Sequence, residues 1–318
     1  MKPCPENLLI RQPQLDDYDG ILNITIDEDL WGGMDYLPFA LKSWLKEGED
    51  KKSNRENFVF TLFGRIVGFM SIYFLNAGKV GAKFAFRVSK DIRGKGYGRQ
   101  VNVLLQNYLK EHYAKLQNTI SAIPDMDLND DEIKSCKHGN LLTSKSYPTY
   151  KINLGYLSTL VIETCKETFF IVSNTHFSEM LRGKHVQHLL RNNLLHINWT
   201  PVLIETDDDI NFATRKKQIV LAKRVSESNI SSFSILTLPF NVPNGNFKAS
   251  IDIYTGDEDK QGIESHIKLQ LMNLKQNLGN ASQDNHIFLH IIVDENLGNA
   301  VFDVMKNFEY LVTSETLL

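Results

Sequence analysis

Phe84-Ala85-Phe86-Arg87-Val88-Ser89-Lys90-Asp91-Ile92-Arg93-Gly94-Lys95-Gly96-Tyr97-Gly98 decides how this chain is read. An apolar strand pattern runs into Arg-Gly-Lys-Gly-Tyr-Gly and then directly into an amphipathic helix pattern over Tyr97–Lys115. Val101, Leu104, Leu105, Tyr108 and Leu109 supply that helix's apolar stripe. Physically the junction is an anion cradle. Glycines let backbone N–H groups approach a phosphate, and the helix start adds a positive dipole end. Arg93 and Lys95 add full charges. The spacing is neither GxxxxGK[ST] nor GxGxxG, and no acidic residue about 20 positions on suggests a ribose partner.

Upstream, the pattern gives a short strand at Leu8–Arg11 and a helix at Gln14–Leu22. An aromatic loop from Leu30 to Pro38 leads into a second helix through Phe39, Leu41, Trp44 and Leu45. Phe58–Leu62, Ile66–Leu75 and Lys79–Val88 then read as a three-strand meander, with Gly64 and Gly78 at its turns. After the helix come a strand at Thr119–Ile123, a short helix at Glu132–His138 and strands at Tyr150–Asn153 and Ser158–Glu163.

The second half reads as strand Phe169–Val172, a His-rich helical stretch Ser178–Leu195, strand Val202–Glu205 and helix Asp208–Thr214. Strands Gln218–Lys223, Ser232–Pro239 and Phe247–Tyr254, helix Gln261–Leu278, strand His286–Val293, helix Leu297–Asn307 and strand Tyr310–Thr313 follow. Both halves share one order, which suggests duplication of a single α+β unit. The expected fold class is a mixed, mainly antiparallel α+β sheet flanked by helices at residues 1–155, with a second, degenerate domain of the same kind at 156–318.

Of 318 residues, 42% are hydrophobic and 23% charged, ordinary for a globular protein. Lys+Arg 35 against Asp+Glu 38 leaves a net charge of -3, which argues against nucleic acid as the main partner. Cys4, Cys136 and Cys165 form neither a disulfide framework nor a zinc pattern. No apolar run suits a signal peptide or a membrane span, so a cytoplasmic location is expected, with no membrane partner.

Arg93-x-x-Gly96-x-Gly98, following an antiparallel strand and opening a helix, resembles the pyrophosphate loop of the GNAT N-acetyltransferases. Trp31-Gly32-Gly33-Met34-Asp35-Tyr36-Leu37-Pro38 with Ser43-Trp44-Leu45 is similar to a loop of the histidine N-acetyltransferase branch, which also carries a long C-terminal extension. The resemblance implies acetyl-CoA as cosubstrate, a small-molecule amine as acceptor, and direct transfer without a covalent enzyme intermediate. It implies that the third meander strand splays from its neighbour and offers backbone groups of Phe86 and Val88 to the cofactor. The Val88 N–H would polarise the thioester carbonyl. Arg93, Gly94, Lys95, Gly96, Tyr97 and Gly98 would hold the pyrophosphate.

This chain departs from relatives that carry a Glu before the Arg-Val pair, having Phe84, Ala85 and Phe86 there. Candidates for the base are Asp35, a backbone-held water or His138. Glu132–Asn140 holds no Tyr to protonate the leaving thiolate, and Cys136 or His138 occupies that neighbourhood. Asp35 and Tyr36 are candidate substrate residues on a lid-like loop, with Tyr73 and Asn76 as further wall candidates. An alternative reading of the pair is a hydrophobic plug with a capping Asp. Acetylation of protein N-termini or lysines, or a silent acyl-CoA-binding scaffold, are the alternative functions.

No metal is expected. His185 and His188 share a helix spacing, but a third ligand is missing, and His176 and His196 read as surface or core histidines. Asp207-Asp208-Asp209 reads as a helix start. Asp257-Glu258-Asp259 falls where a duplicated phosphate loop would sit and would repel a pyrophosphate, so one CoA site per chain is expected.

Overall fold

In a computed structural model, residues 7–25, 33–49, 54–124, 142–159, 169–183, 186–197, 199–215, 218–226, 229–256, 260–279 and 281–317 are described. The chain divides into two compact units, Met1–Ser121 and Ala122–Leu318.

The first unit opens with β1 (Leu8–Arg11), α1 (Tyr18–Leu22) and α2 (Leu37–Glu49). The meander follows as β2 (Arg55–Leu62), β3 (Arg65–Leu75) and β4 (Val80–Val88), then α3 (Tyr97–His112) and β5 (Asn118–Ser121). Strand order is β1-β2-β3-β4-β5, antiparallel throughout except for the parallel β4–β5 pair. Phe63 and Gly64 turn β2 into β3 with both φ angles positive, as a two-residue hairpin demands. In α2, Leu37, Leu41 and Leu45 recur every four residues and bury against Val59 and Phe69 on one face of the sheet. In α3, Val101, Leu105 and Leu109 do the same against Phe58, Phe60, Ile72 and Val88 on the other face.

Half-buried Glu56 tests the electrostatics of this unit. Burial, the largest cause, pushes its carboxyl above the ordinary range, while hydrogen bonds from Gln12 and Tyr113 pull it down. A folded-state pKa above the unfolded one means folding favours the protonated form. Stability is therefore lost as pH rises from the unfolded value through the folded one. Glu56→Gln removes the charge and keeps an acceptor for Gln12, whose Nε2 donates at 2.7 Å. The variant is expected to melt above the parent at pH 7, with the gap closing toward pH 4. A gap unchanged with pH would show that the charge is not the cause.

The second unit contains β6 (Ile123–Pro124), β7 (Ser144–Asn153), α4 (Leu154–Thr159), β8 (Phe169–Val172) and α5 (Asn174–Arg182). A hairpin of β9 (Leu194–Ile197) and β10 (Thr200–Leu203) precedes α6 (Asp207–Arg215). Then come β11 (Gln218–Ser226), β12 (Asn229–Thr237), β13 (Phe240–Asn241), β14 (Phe247–Thr255) and α7 (Lys260–Leu278). The chain closes with β15 (His286–Asp294), α8 (Gly298–Met305) and β16 (Glu309–Leu317). The main sheet runs β6-β16-β7-β15-β14-β12-β11-β8, with β13 paired to β14. Its core joins α7 and α8, through Ile263, Ile267, Leu271 and Val301, to Ile251, Ile253, Leu289 and Ile291 of the strands.

The stretch β8-β11-β12-β14-β15 repeats the order and directions of the first sheet, parallel β14–β15 pair included. The halves are thus two copies of one α+β plan. Three expectations change. The division expected at 155 moves upstream, because β7 pairs with both β15 and β16 inside the second sheet. The strand expected at Ser158–Glu163 is replaced by α4 as far as Thr159, the rest lying outside the described residues. The helix expected over Ser178–Leu195 ends at Arg182, where Gly183 follows, and the chain re-enters a strand at Leu194. The short helix expected at Glu132–His138 lies outside the described residues. Among the described residues, no helix is long and apolar enough to cross a membrane.

Candidate active site

The cradle read from the sequence has the backbone it requires. Gly94 and Gly96 adopt φ of 70° and 84°, the left-handed region where a side chain is strained. A Cβ added at Gly94, Gly96 or Gly98 would meet nothing within 4 Å, so this rim of the loop is open. The first helical bond of α3 runs from Gln100 N–H to Gly96 O, leaving the preceding N–H groups outside the helix ladder. Buried Ile92 anchors the loop, while Arg93 and Lys95 are exposed. The Arg93 Nε donates to Val88 O at 2.8 Å, tying the loop to the strand end. Tyr97 packs against the α3-side core, which leaves its backbone N–H as its contribution at the loop.

β4 carries a bulge just upstream. Phe84 pairs with Ser71 and Arg87 with Phe69, so an extra residue is accommodated between them, and Ala85 takes φ 55°. Pairing with β5 stops at Lys83↔Ser121, so the β5-facing edge of Phe84–Val88 is open among the described residues. Ser89 N–H donates to Val67 O, and ladder bonds alternate along an antiparallel strand. The N–H and C=O of Val88 therefore turn away from β3, toward the side where β5 has ended. Phe86 projects with 40% of its surface exposed. Burial lowers the Lys83 ammonium's pKa at the last β4–β5 pair.

The face that carries α1 and α2 holds an aromatic and cationic cluster. Asp35 accepts the Leu37 N–H at 3.0 Å, fixing the start of α2, and its same Oδ1 accepts the Arg87 guanidinium. The Arg87 guanidinium carbon lies 5.3 Å from the Tyr36 ring centre. Tyr36 meets Trp44 at 5.7 Å, Trp44 meets Phe84 edge-on at 5.3 Å, and Phe84 stacks on Tyr73 at 4.8 Å. The Arg55 guanidinium sits 4.4 Å from Trp44 and 4.6 Å from Tyr73. Burial pushes the Arg55 pKa down to about 10, against a partial offset from Glu47.

Asp35, Tyr36 and Tyr73, expected from the sequence, are therefore gathered in one cluster. Arg55, Arg87, Trp44 and Phe84 join it, although the sequence reading gave them no role. The signal for Arg87 was a cation inside an apolar strand run. Asn76 sits apart, in the β3–β4 turn at the other end of β4. His138 and Cys136 lie outside the described residues. Asp207–Asp209 do open α6, where Asp209 accepts the Thr206 N–H at 2.9 Å.

A family model described as Acetyltransferase (GNAT) family matches residues 19–139, the segment that carries this loop and bulge. The histidine N-acetyltransferase of Oreochromis niloticus is 23% identical over 308 residues, covering 92% of this chain and 86% of that protein. A GCN5-related N-acetyltransferase from Sphaerobacter thermophilus superposes with TM-score 0.57 at 9% identity, covering 99% of this chain and 95% of that one. A tandem GNAT protein from the clavulanic acid biosynthesis pathway gives 0.54 at 10%, covering 98% and 97%. Residues 19–139 thus carry an acetyltransferase (GNAT) domain of an acetyl-transferring enzyme, and the fold of the second unit fits the tandem arrangement of that neighbour.

Proposed function

We propose that the protein transfers the acetyl group of acetyl-CoA to the amino group of a small molecule, an α-amino acid such as histidine. The observation that carries this reading is the junction of an open glycine cradle with a bulged, splayed β4 whose Val88 N–H faces the opening. The cradle suits a pyrophosphate, through N–H groups outside the helix ladder, a helix start and two exposed cations. Acetyl-CoA supplies the activated acyl group. The chain's contribution is to orient it, with Val88 N–H donating where negative charge develops on the carbonyl oxygen.

An amine must arrive with its lone pair free. An α-amino group titrates below a lysine amine, so a larger share of it is neutral at pH 7. That difference favours an α-amine in a site whose Asp35 is already engaged by Arg87 and the Leu37 N–H. Asp35 and Tyr36 therefore act as pocket wall and positioning groups, and the proton leaves through water. The name of the relative from Oreochromis niloticus supports histidine within this class.

Release of free CoA thiol, followed against histidine, other amino acids, histamine and an N-terminal peptide, tests the proposal. Free amino acids are expected to drive release, histidine fastest, and Tyr36→Phe to lower kcat/KM for the amine while leaving the Kd of acetyl-CoA nearly unchanged. Release with peptides alone, or with no amine at all, would overturn the reading.

A further inference from the structure

The second unit holds buried polar side chains whose packing leaves them incompletely satisfied. Asp252 of β14 alternates with Ile251 and Ile253, which face α7 and α8, so its carboxylate lies on the opposite face of the sheet. There, 1% exposed, it meets Nδ1 of His196 in β9 at 2.7 Å and accepts Ser250 Oγ at 3.2 Å. Tyr254 holds the His196 backbone at both ends. Its hydroxyl accepts the His196 N–H at 2.7 Å and donates to the His196 carbonyl at 2.8 Å. The carboxylate takes Nδ1–H as its donor, which in the neutral imidazole leaves the lone pair on Nε2. That Nε2 is buried and has no hydrogen-bond partner among the described residues.

His290 of β15 repeats the pattern. Its Nδ1 lies 2.9 Å from Thr149 Oγ1, and its Nε2 is buried without a partner among the described residues. Burial, then the charge of Lys248, holds this imidazole well below its ordinary pKa and hence neutral. Trp199 stands edge-on to both rings, at 6.0 Å from His196 and 6.2 Å from His290. Tyr147 stacks on His290 at 4.7 Å and meets Trp199 at 4.0 Å.

His266 in α7 shows what a purely structural buried histidine looks like in the same unit. Both of its nitrogens are engaged, by Ser232 Oγ and Ser234 Oγ, each at 2.9 Å. A core gains nothing from two orphaned imidazole nitrogens, and native interiors rarely keep them. The place is also telling. In the first unit Arg87 of β4 pairs with Asp35, from the segment joining α1 to α2. In the second unit Asp252, from the corresponding strand, pairs with His196, from the segment joining α5 to α6. In each unit a buried side chain of this strand thus pairs with the segment that joins the two helices, with the charges exchanged.

We propose that this cluster is a second small-molecule site, which takes a flat nitrogen base or cation with an N–H donor, an imidazole or aryl amine, on His196 Nε2. Asp252 supplies negative charge behind the imidazole, and Trp199 and Tyr147 supply aromatic surface. Of the nearby cations, Lys145 and Arg191 both pair with Asp294, Lys145 also lies 5.2 Å from the Tyr254 ring centre, and Lys248 acts on His290. Trp199 is the cover. It sits half-buried at the tip of the β9–β10 hairpin with φ 65°, a backbone state unusual for so bulky a residue. The residues 256–259 that follow β14 read Gly-Asp-Glu-Asp, so the site binds without an acyl donor of its own.

The sequence holds three tryptophans, and Trp31→Phe with Trp44→Phe leaves Trp199 as the sole emitter. Titrating this full-length variant with imidazole should change its emission saturably, whereas tetramethylammonium, which lacks an N–H, should not. His196→Gln should weaken imidazole at least tenfold, and Gly96→Asp in the first unit should leave its affinity unchanged. A response linear in imidazole, or one undiminished in a folded His196→Gln variant, overturns the site. Should His196→Gln fail to fold, Asp252→Asn, equal in volume, carries the same expectation and the same refutation. None of these outcomes depends on thiol release, so failure here and failure of the proposed acetylation are distinguishable.

Discussion

Gly96→Asp is expected to abolish acetyl-CoA binding while leaving a folded protein. A ligand that binds only the native state at 100 times its Kd adds about 2.7 kcal/mol to stability. Wild-type protein should show that gain as a raised thermal midpoint, with one equivalent bound per chain by calorimetry. At Gly96 an added Cβ meets nothing within 4 Å, so the substitution causes no clash. Its cost to the fold is the left-handed backbone at φ 84°, about 1–2 kcal/mol. Its cost to binding is far larger, because a carboxylate enters the cradle beside the N–H groups of α3 and repels the anion they would hold. Gly96→Ala separates the two contributions, since it shares the strain and lacks the charge. We expect Ala to keep most of the ligand-induced shift and Asp to lose it. Undiminished stabilisation of folded Gly96→Asp would refute the assignment of the loop, and two equivalents per wild-type chain would refute a silent second unit.

The parts legible in the sequence are those whose physics is local. The meander shows in runs of β-forming residues broken at Gly64 and Gly78, and α3 in the four-residue recurrence of Val101, Leu105 and Leu109. The loop shows in glycines placed where φ turns positive. Strand partners are not local. Tyr150–Asn153 reads as a strand and forms the end of β7, but nothing in it says that its neighbours are β15 and β16 rather than β5. The bulge at Ala85 was equally hidden, because no glycine marks it.

The aromatic and cationic cluster was hidden for a related reason. Arg55 and Arg87, 6% and 4% exposed, are cations that composition assigns to the surface. Trp44 from α2, Tyr73 from β3 and Phe84 from β4 converge on Arg55 as aromatic plates, while Arg87 meets Tyr36 and Asp35. The His196–Asp252 pair joins residues 56 positions apart and left no trace beyond a surplus of histidines.

Arg87 and Asp35 should prove strongly coupled. The Arg87 side chain is almost fully buried and that of Asp35 mostly so, which gives their ion pair little help from water. Removing one partner of such a pair leaves a buried charge uncompensated, at a cost of about 3 kcal/mol or more. Arg87→Met should therefore destabilise strongly, though Asp35 would keep its bond from Leu37 N–H. Asp35→Asn keeps an acceptor for that N–H but removes the charge facing the guanidinium, which is the more buried member. In the double variant neither charge remains, so the total loss should fall short of the sum by about 1–3 kcal/mol. Denaturant unfolding in a Trp199→Phe background reads this cycle from Trp31 and Trp44, both within residues 1–121. Thiol release on the same variants adds a readout that stability alone does not move. With the proteins folded, kcat/KM for the amine should fall more than the affinity for acetyl-CoA if, as proposed, the pair lines the acceptor side and not the cradle. Additivity within about 0.5 kcal/mol would mean that the pair is no unit. Loss of acetyl-CoA affinity in step with kcat/KM would move Asp35 from the substrate wall to the support of β4.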